Sequence, residues 1–355
     1  MRPVKMNVKA LACLMLALLM LGSLLVGCSG EYLNPDGTVG THGNGGDHTE
    51  ALTDAESVGS GNISLETETQ AGGSLVIGTQ TPEEMFKDAP HVMCAEFLKT
   101  GESDSILIRM DDTVILVDTA DSDDYGILKA KLTSYGITTI DHLIITHFDN
   151  DHIGAAAGII NDFAVKEIYA PDYIRDSGLY RSMMSAIEAK GEGTVFRRVT
   201  EDLEITLDYG RLWINPTHLY PSGEVLGHDT PDAAVEENNF SLITSVYFGE
   251  AAMLLLGDAE EARIAEFNQR FAEGGYPAYT LVKTPHHGGY DKNLGACLSA
   301  IRPRYCVINT DNESKVEAGL VTSMRASGAA AYYTYGGDIA FYTDGSATKR
   351  LLVQK

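Results

Sequence analysis

The sequence predicts a mixed α/β fold closed in four layers, αββα, with two sheets face to face and helices on both outer surfaces. Three observations predict it. Strand-like and helical runs alternate from His91 onward, they do so in two successive halves, and each half has an apolar strand running straight into a histidine-bearing loop, Thr146–His152 in the first and Pro285–Gly289 in the second. With 355 residues and 44% hydrophobic content, the chain has enough apolar side chains for a large packed core.

The first half opens as a meander. Met93–Leu98, Ser105–Met110 and Val114–Val117 read as strands, separated by tight turns at Thr100-Gly101-Glu102 and Asp111-Asp112. A helix is expected over Tyr125–Ser134, stopped by Gly136, then a short buried strand His142–Thr146 and a helix over Ile153–Ile160. Strand Glu167–Ala170, helix Leu179–Lys190 and strands Val195–Val199 and Leu212–Asn215 follow. The second half reads as strands Ser241–Phe248 and Ala252–Leu256, helix Glu260–Phe271, strand Tyr279–Lys283, helix Leu294–Ile301 and strand Tyr305–Asn309. A last hairpin of Tyr332–Tyr335 and Asp338–Tyr342 closes the chain, with an Asp344-Gly345 turn.

Ahead of this domain the composition changes. Arg2, Lys5 and Lys9 precede an apolar run from Ala10 to Leu25, short for a membrane span and suited to a signal-peptide core. The run ends Leu25-Val26-Gly27-Cys28, which resembles a bacterial lipobox. Residues 1–28 are therefore expected to be a lipoprotein signal peptide, with a lipid on Cys28 anchoring an extracytoplasmic protein to the cell membrane. Residues 29–85 are rich in Gly, Ser, Thr, Asn and acids, bury too little to fold, and are expected to form a flexible tether to a domain spanning 86–355.

Charge and cysteines narrow the class further. Residues 29–90 hold eleven acids against one base, residues 91–355 hold 39 acids against 22 bases, and the formal charge is −24. This counts against binding nucleic acid or anionic lipid through bulk charge, which rests on phosphate neutralisation by Lys and Arg, and leaves a local basic groove open. Beyond Cys13 and Cys28 only Cys94, Cys297 and Cys306 remain, an odd number that argues against a disulfide framework. They read as small buried hydrophobes, with a Cys297 to Cys306 bridge as the alternative.

The chemistry is concentrated in Thr146-His147-Phe148-Asp149-Asn150-Asp151-His152. Four acidic or imidazole groups packed between an apolar strand and a helix are costly to place together unless positive charge sits among them, and a pair of metal ions supplies it. His147 and Asp149 are two apart, so extended backbone points both to one side; Asp151 and His152 come as the chain turns into the helix and face a second ion. Asp149 or Asp151 alone would read as a capping residue of a solvated loop. The four together do not.

This segment resembles the HxHxDH signature of the metallo-β-lactamase superfamily, with Asp149 in place of the second histidine. The HxDxDH form resembles the branch that contains the C-terminal domain of the competence protein ComEC. Further blocks resemble that branch in order: Gly101 with Asp104-Ser105-Ile106, the strand Val114–Thr119 ending in Asp118, Asn238-Asn239-Phe240-Ser241, Leu254-Leu255-Leu256-Gly257-Asp258, and Lys283-Thr284-Pro285-His286-His287-Gly288. The resemblance covers nearly all of residues 91–355.

It implies a four-layered αββα metallo-β-lactamase sandwich and a hydrolase using two divalent metal ions, zinc or manganese. Carried over position by position, it places His147 and Asp149 on one ion, Asp151 and His152 on the other, and Asp258 between them. One of His286 and His287 completes the second site; the Pro-x-His-Gly context favours His287 and leaves His286 near the reacting group. Asp118 is implied to hold a ligand histidine in its tautomer. Asn238 and Asn239 stand where a third histidine is usual, so the first ion has one imidazole and two carboxylates, a hard set that suits Mn²⁺ as well as Zn²⁺. Glu102-Ser103 and Ala120 depart from the branch's Gln-Gly and glycine, which touches loop shape and no ligand.

Two such cations lower the pKa of a bridging water from about 16 toward about 7, giving hydroxide at neutral pH. Asp151 is then expected to orient that water, and His286 to stabilise or protonate the departing oxygen. The substrate readings are a small-molecule or nucleic-acid phosphodiester, which makes the protein a tethered phosphodiesterase or nuclease, or a small ester, lactam or cell-envelope phosphoester. A non-catalytic lipoprotein binding module is the remaining reading, and the intact ligand set stands against it. No protein partner is inferable. Elsewhere, the loop Tyr220–Glu237 with His228 and Asp229 reads as solvent-facing, with flanking the pocket as the alternative, His218 reads as structural, Trp213, Tyr332, Tyr333 and Tyr335 as strand core before a base-stacking surface, and Thr310 and Asn312 end a strand at the expected cleft.

Overall fold

The computed structural model describes residues 81–226, 236–275 and 277–347, together with the backbone of 66–67, 76–77 and 350–354. These fall in one compact unit, Ile63–Lys355. The expected signal peptide with Cys28, nearly all of the tether, and His228 and Asp229 lie outside the described residues.

Helix α1 (Pro82–Phe86) starts at a capping box in which Thr81 and Glu84 each accept from the other's backbone N–H. The expected meander follows as β1 (Met93–Phe97), β2 (Ile106–Met110) and β3 (Thr113–Val117). Helix α2 (Tyr125–Ser134) carries the chain to β4 (Thr139–Ile144), and α3 (Asn150–Ile153) and α4 (Ala156–Asp162) lead to β5 (Ala164–Pro171). After β6 (Tyr173–Arg175) and α5 (Gly178–Lys190), β7 (Val195–Val199) ends the half. Strands β3, β4, β5 and β7 are parallel neighbours, and the inner β4 and β5 carry Asp141, His142, Lys166 and Glu167 up to their middles and become buried towards the ends that reach the site.

The second half contains β8 (Leu203–Thr206), β9 (Gly210–Asn215), β10 (Glu224–Leu226), β11 (Ile243–Phe248) and β12 (Ala251–Leu255). Three crossovers follow: α6 (Glu261–Gly274) to β13 (Leu281–Lys283), α7 (Lys292–Ile301) to β14 (Tyr305–Ile308), and α8 (Ala318–Ser327) to β15 (Ala330–Tyr333). The chain ends with β16 (Ile339–Thr343) and β17 (Arg350–Gln354). One sheet has eight strands in the order β17-β16-β1-β2-β3-β4-β5-β7 and the other seven in the order β8-β9-β11-β12-β13-β14-β15. β6 and β10 form a separate parallel pair.

The layers follow from which side chains meet. Phe97, Ile108 and Val117 of the first sheet pack on Leu212, Val246 and Leu255 of the second. On the outer faces, Leu128, Ile160 and Met183 of α2, α4 and α5 cover Leu116 and Leu143, while Phe267, Leu298 and Met324 of α6, α7 and α8 cover Leu254 and Val282. This is the αββα sandwich the sequence predicts.

Three expectations are corrected. The hairpin of Tyr332–Tyr335 with Asp338–Tyr342 does not form: β15 pairs parallel with β14 in the second sheet and β16 pairs with β1 in the first, so the turn at Thr334–Gly336 is a crossing between sheets. Tyr335 lies in that turn and is 39% exposed, not strand core. The true terminal hairpin is β16 with β17, and Asp344-Gly345 lies in its connection. The single helix over Ile153–Ile160 is broken into α3 and α4 at Gly154, where a Cβ would lie 2.2 Å from the Ser122 backbone nitrogen. Cys94, Cys297 and Cys306 are buried, reduced thiols, as the preferred reading has it, and the alternative Cys297 to Cys306 bridge does not form. Among the described residues no helix is long and apolar enough to cross a membrane.

Candidate metal centre

The centre forms where parallel strands of both sheets end. Just past β3, Asp118 adopts a left-handed backbone (φ 58°) that turns its carboxylate inward. There it accepts from Thr146 N–H and Thr146 Oγ1, both at 2.8 Å, and from His152 Nδ1 at 2.8 Å. With Nδ1–H given to Asp118, Nε2 is the His152 atom left to a ligand. It lies 3.3 Å from Asp258 Oδ2 and 3.7 Å from Asp151 Oδ2. The His147 ring sits beside it, with centroids 4.1 Å apart; its Nδ1 is 3.1 Å from Thr146 Oγ1 and its Nε2 is 3.7 Å from Asp149 Oδ2.

The second sheet supplies the opposite wall. Asp258 follows β12 through Gly257, where φ is +53° and a Cβ would lie 3.0 Å from the Thr146 Cβ, so only glycine permits this approach of the two halves. Beyond β13, His286 and His287 are both left-handed (φ 48° and 49°), two successive non-glycine residues whose strain costs about 1–3 kcal/mol each. The bend drives His287 inward: Nδ1 is 3.2 Å from the Asn309 carbonyl oxygen, and Nε2 is 3.0 Å from Asp151 Oδ2 and 3.2 Å from Asp258 Oδ2.

Ligand atoms of Asp151, His152, Asp258 and His287 lie within 4.8 Å of one another, with the His147 and Asp149 pair alongside. His287, not His286, enters the cluster. His286 is 45% exposed at the side chain, its Nδ1 3.1 Å from Glu260 Oε1. Asn238 and Asn239 face elsewhere: Asn238 Nδ2 donates to Glu260 Oε1 at 2.9 Å, and Asn239 Oδ1 accepts from the Arg263 N–H at 3.0 Å. Thr310 is buried and donates its N–H to Thr334 Oγ1, and Asn312 caps the turn Glu313–Lys315.

These residues fit divalent cations. His147 Nε2, His152 Nε2 and Asp258 Oδ1 are fully buried and make no hydrogen bond, which is costly for groups that do not ligate something. Burial pushes the imidazole of His287 down, yet Asp258 and its hydrogen bonds to Asp151 and Asp258 outweigh this and raise it to about 10. His152 is likewise raised against its burial by Asp258 and Asp118. Burial would raise Asp151 and Asp258, but the histidines hold both carboxyls below the usual range. In the metal-free protein, protons on the imidazoles do the neutralising that cations do when bound.

The structure adds residues that sequence reasoning did not assign. Lys283 is fully buried beneath the centre, ion-paired with Asp104, 3.6 Å from Asp258 Oδ1, and donating to the Gly257 carbonyl oxygen at 3.1 Å. Both it and Asp104 stand in motif blocks, which is the signal that points to them. Glu260 is held low, at about 2, by the hydrogen bond from His286 despite partial burial. Arg175 lies 3.9 Å from Asp149 and 3.1 Å from Glu237, and neither Arg175 nor Glu237 stands in any motif block.

An αββα sandwich with imidazoles and carboxylates converging at the strand ends defines a metal-dependent hydrolase fold. Residues 98–308 match the metallo-beta-lactamase superfamily, and the chain belongs to that superfamily. It is 26% identical over 189 residues to ComE operon protein 3 of Bacillus subtilis (strain 168), in keeping with the ComEC-like branch that its motifs resemble; the match covers 53% of this chain and 22% of that protein, so the chain spans less than a quarter of this relative's length. Similar solved structures include the metallo-beta-lactamase fold protein YhfI from Bacillus subtilis, at 10% identity and a TM-score of 0.47 over 71% of this chain and 100% of that one. Human tRNase Z, short form, is similar at 13% identity and a TM-score of 0.37 over 60% of this chain and 90% of that one.

Proposed function

We propose that this protein hydrolyses phosphodiesters, in a small molecule or in nucleic acid, with two divalent ions, zinc or manganese, held by His147, Asp149, Asp151, His152, Asp258 and His287. The observation that carries the reading is the carboxylate of Asp149 set 3.7 Å from His147 Nε2, where the superfamily's signature has an imidazole. It makes that side of the centre rich in oxygen donors, which suits hard cations and phosphoryl oxygens. Divalent ions bound there supply polarisation of the phosphoryl group and activation of water. Asp151, partly exposed beside His287, accepts a hydrogen bond from the attacking water and orients it. His286 keeps one nitrogen on Glu260, so its other nitrogen is free to protonate the departing oxygen. The acidic remainder of the chain keeps bulk nucleic acid at a distance, so the reading favours short or single phosphodiesters.

The protein acts outside the cell membrane in this reading, held by a lipid on Cys28. Support comes from Arg2, Lys5 and Lys9, the apolar run after them, and Leu25-Val26-Gly27-Cys28. Lipid-precursor labelling lost in Cys28→Ala is the expected result, and unchanged labelling excludes the anchor. For the reaction, bis(p-nitrophenyl) phosphate and single-stranded DNA are offered alongside a p-nitrophenyl ester and a lactam panel. Diester cleavage that disappears with a chelator and returns with Mn²⁺ or Zn²⁺ is expected. Turnover of the ester or lactam alone refutes the proposal.

A further inference from the structure

We infer that Arg175 binds the anionic phosphoryl oxygens of the substrate, an inference that rests on the phosphodiester reading above. Among the described residues two side-chain cations are ion-paired with the candidate ligands: Lys283 with Asp258, and Arg175 with Asp149. The Lys283 side chain is fully buried and committed to Asp104, whereas the Arg175 side chain retains 26% exposure. Of the two, Arg175 is thus the cation that solvent reaches. A chain of net charge −24 repels an anionic substrate at long range, so capture depends on local positive charge at the site itself.

The guanidinium is held, not merely nearby. Arg175 ends β6, whose pairing with β10 continues past it through the Asp176 N–H donating to the Leu226 carbonyl at 2.8 Å. Its Nε lies 3.1 Å from Glu237 Oε2. Glu237 is fixed in turn by the Tyr173 hydroxyl at 2.5 Å, and that hydroxyl accepts the N–H of Phe148 at 2.7 Å, the residue between His147 and Asp149. The brace therefore ties Arg175 to the backbone of the metal-binding loop. One edge of the fork is used by Glu237, while Nη2 lies 3.9 Å from Asp149 Oδ1, beyond hydrogen-bond reach. Among the described residues Asp149 and Glu237 are the ion-pair partners of this guanidinium, and its remaining N–H groups have the planar geometry that matches two phosphoryl oxygens. A cation held by Asp149 would weaken that carboxylate's hold on Arg175 further and leave those N–H groups to the substrate.

The test uses the full chain loaded with Mn²⁺, as wild type, Arg175→Gln and Arg175→Lys. Calorimetry reads the affinity for inorganic phosphate, steady-state kinetics on bis(p-nitrophenyl) phosphate separates KM from kcat, and elemental analysis reads bound metal. Arg175→Gln is expected to weaken phosphate and raise KM about tenfold with metal content and kcat little changed, and Arg175→Lys to fall between. Unchanged phosphate affinity and KM, or a loss of metal with phosphate affinity intact, overturns the inference and leaves Arg175 a brace for Asp149. Phosphate binding that depends on Arg175 in a protein that leaves the diester uncut overturns the proposed reaction and leaves this inference standing.

Discussion

Asp118 takes the Nδ1–H of His152 at 2.8 Å and so directs the opposite nitrogen of that ring at Asp258, 3.3 Å away. Asp118 lies just past β3 and His152 in α3, and Thr146 donates twice to the same carboxylate. Asp118→Asn replaces one acceptor by a donor facing Thr146 Oγ1 and the ring. Metal affinity is expected to fall by about 10- to 100-fold. Titration with a fluorescent zinc competitor measures it, and an unchanged Kd would show that Asp118 does not set the ring.

Asp151 and Asp258 meet both histidines of the cluster. Asp151→Ala and Asp258→Ala should each abolish metal-dependent turnover, with Asp258→Ala also lowering bound metal. Full turnover by either purified variant removes that residue from its role.

Proton and metal compete at His287. Its imidazole, ordinarily near 6.5, is raised to about 10 in the metal-free fold. Between those values the folded protein binds more protons than the unfolded chain, so this contribution to stability is complete below about pH 6.5 and is lost as pH climbs through about 10. Metal needs the neutral ring, so its affinity rises across the same window. Chelator-treated protein should show a Tm that falls from about pH 6.5 to about pH 9, while the Tm gain on adding metal grows. A gain independent of pH counts against His287 as a ligand.

Lys283 is the buried counter-charge of Asp104 and Asp258. Lys283→Met takes the close counter-charge from the buried Asp104 and leaves Asp258 to His152 and His287 alone, and should destabilise the metal-free domain by roughly 3–5 kcal/mol, less when cations are bound. Urea denaturation with and without a chelator reads both figures, and equal values would mean that the lysine does not share charge with the centre.

Burial pushes the Cys297 and Cys306 thiols up to about 12. Neither they nor the buried Cys94 should react with a thiol reagent at pH 8 until the protein is unfolded, when all three titrate. Fast labelling of the native protein would place a thiol at the surface.

Much of this was legible in the sequence, for identifiable reasons. Tyr125–Ser134 and Val195–Val199 were read with the bounds observed, because local punctuation by Gly136 and the apolar pattern decide them. The false hairpin arose because Thr334–Gly336 has the composition of a tight turn, and no local signal tells that β15 pairs with β14, some 25 residues back. Helix α8 was missed since its AGLVTSMRAS stretch buries only Leu320 and Met324, too little for a periodic stripe. In the site, the ligands lie in dense motifs, whereas Glu237 belongs to an acidic pair that reads as solvated and Arg175 to a short edge ribbon. Their meaning comes from a contact across 62 residues.

Gly257 and Thr146 bring the two halves within van der Waals contact at the centre. His147, Asp149, Asp151 and His152 come from the earlier half, Asp258 and His287 from the later one. Neither set is the whole ligand cluster, so tight ion capture is a coincidence detector for the docking of the halves: an intermediate in which they have not met holds metal more weakly, and binding strength reports closure of the whole sandwich.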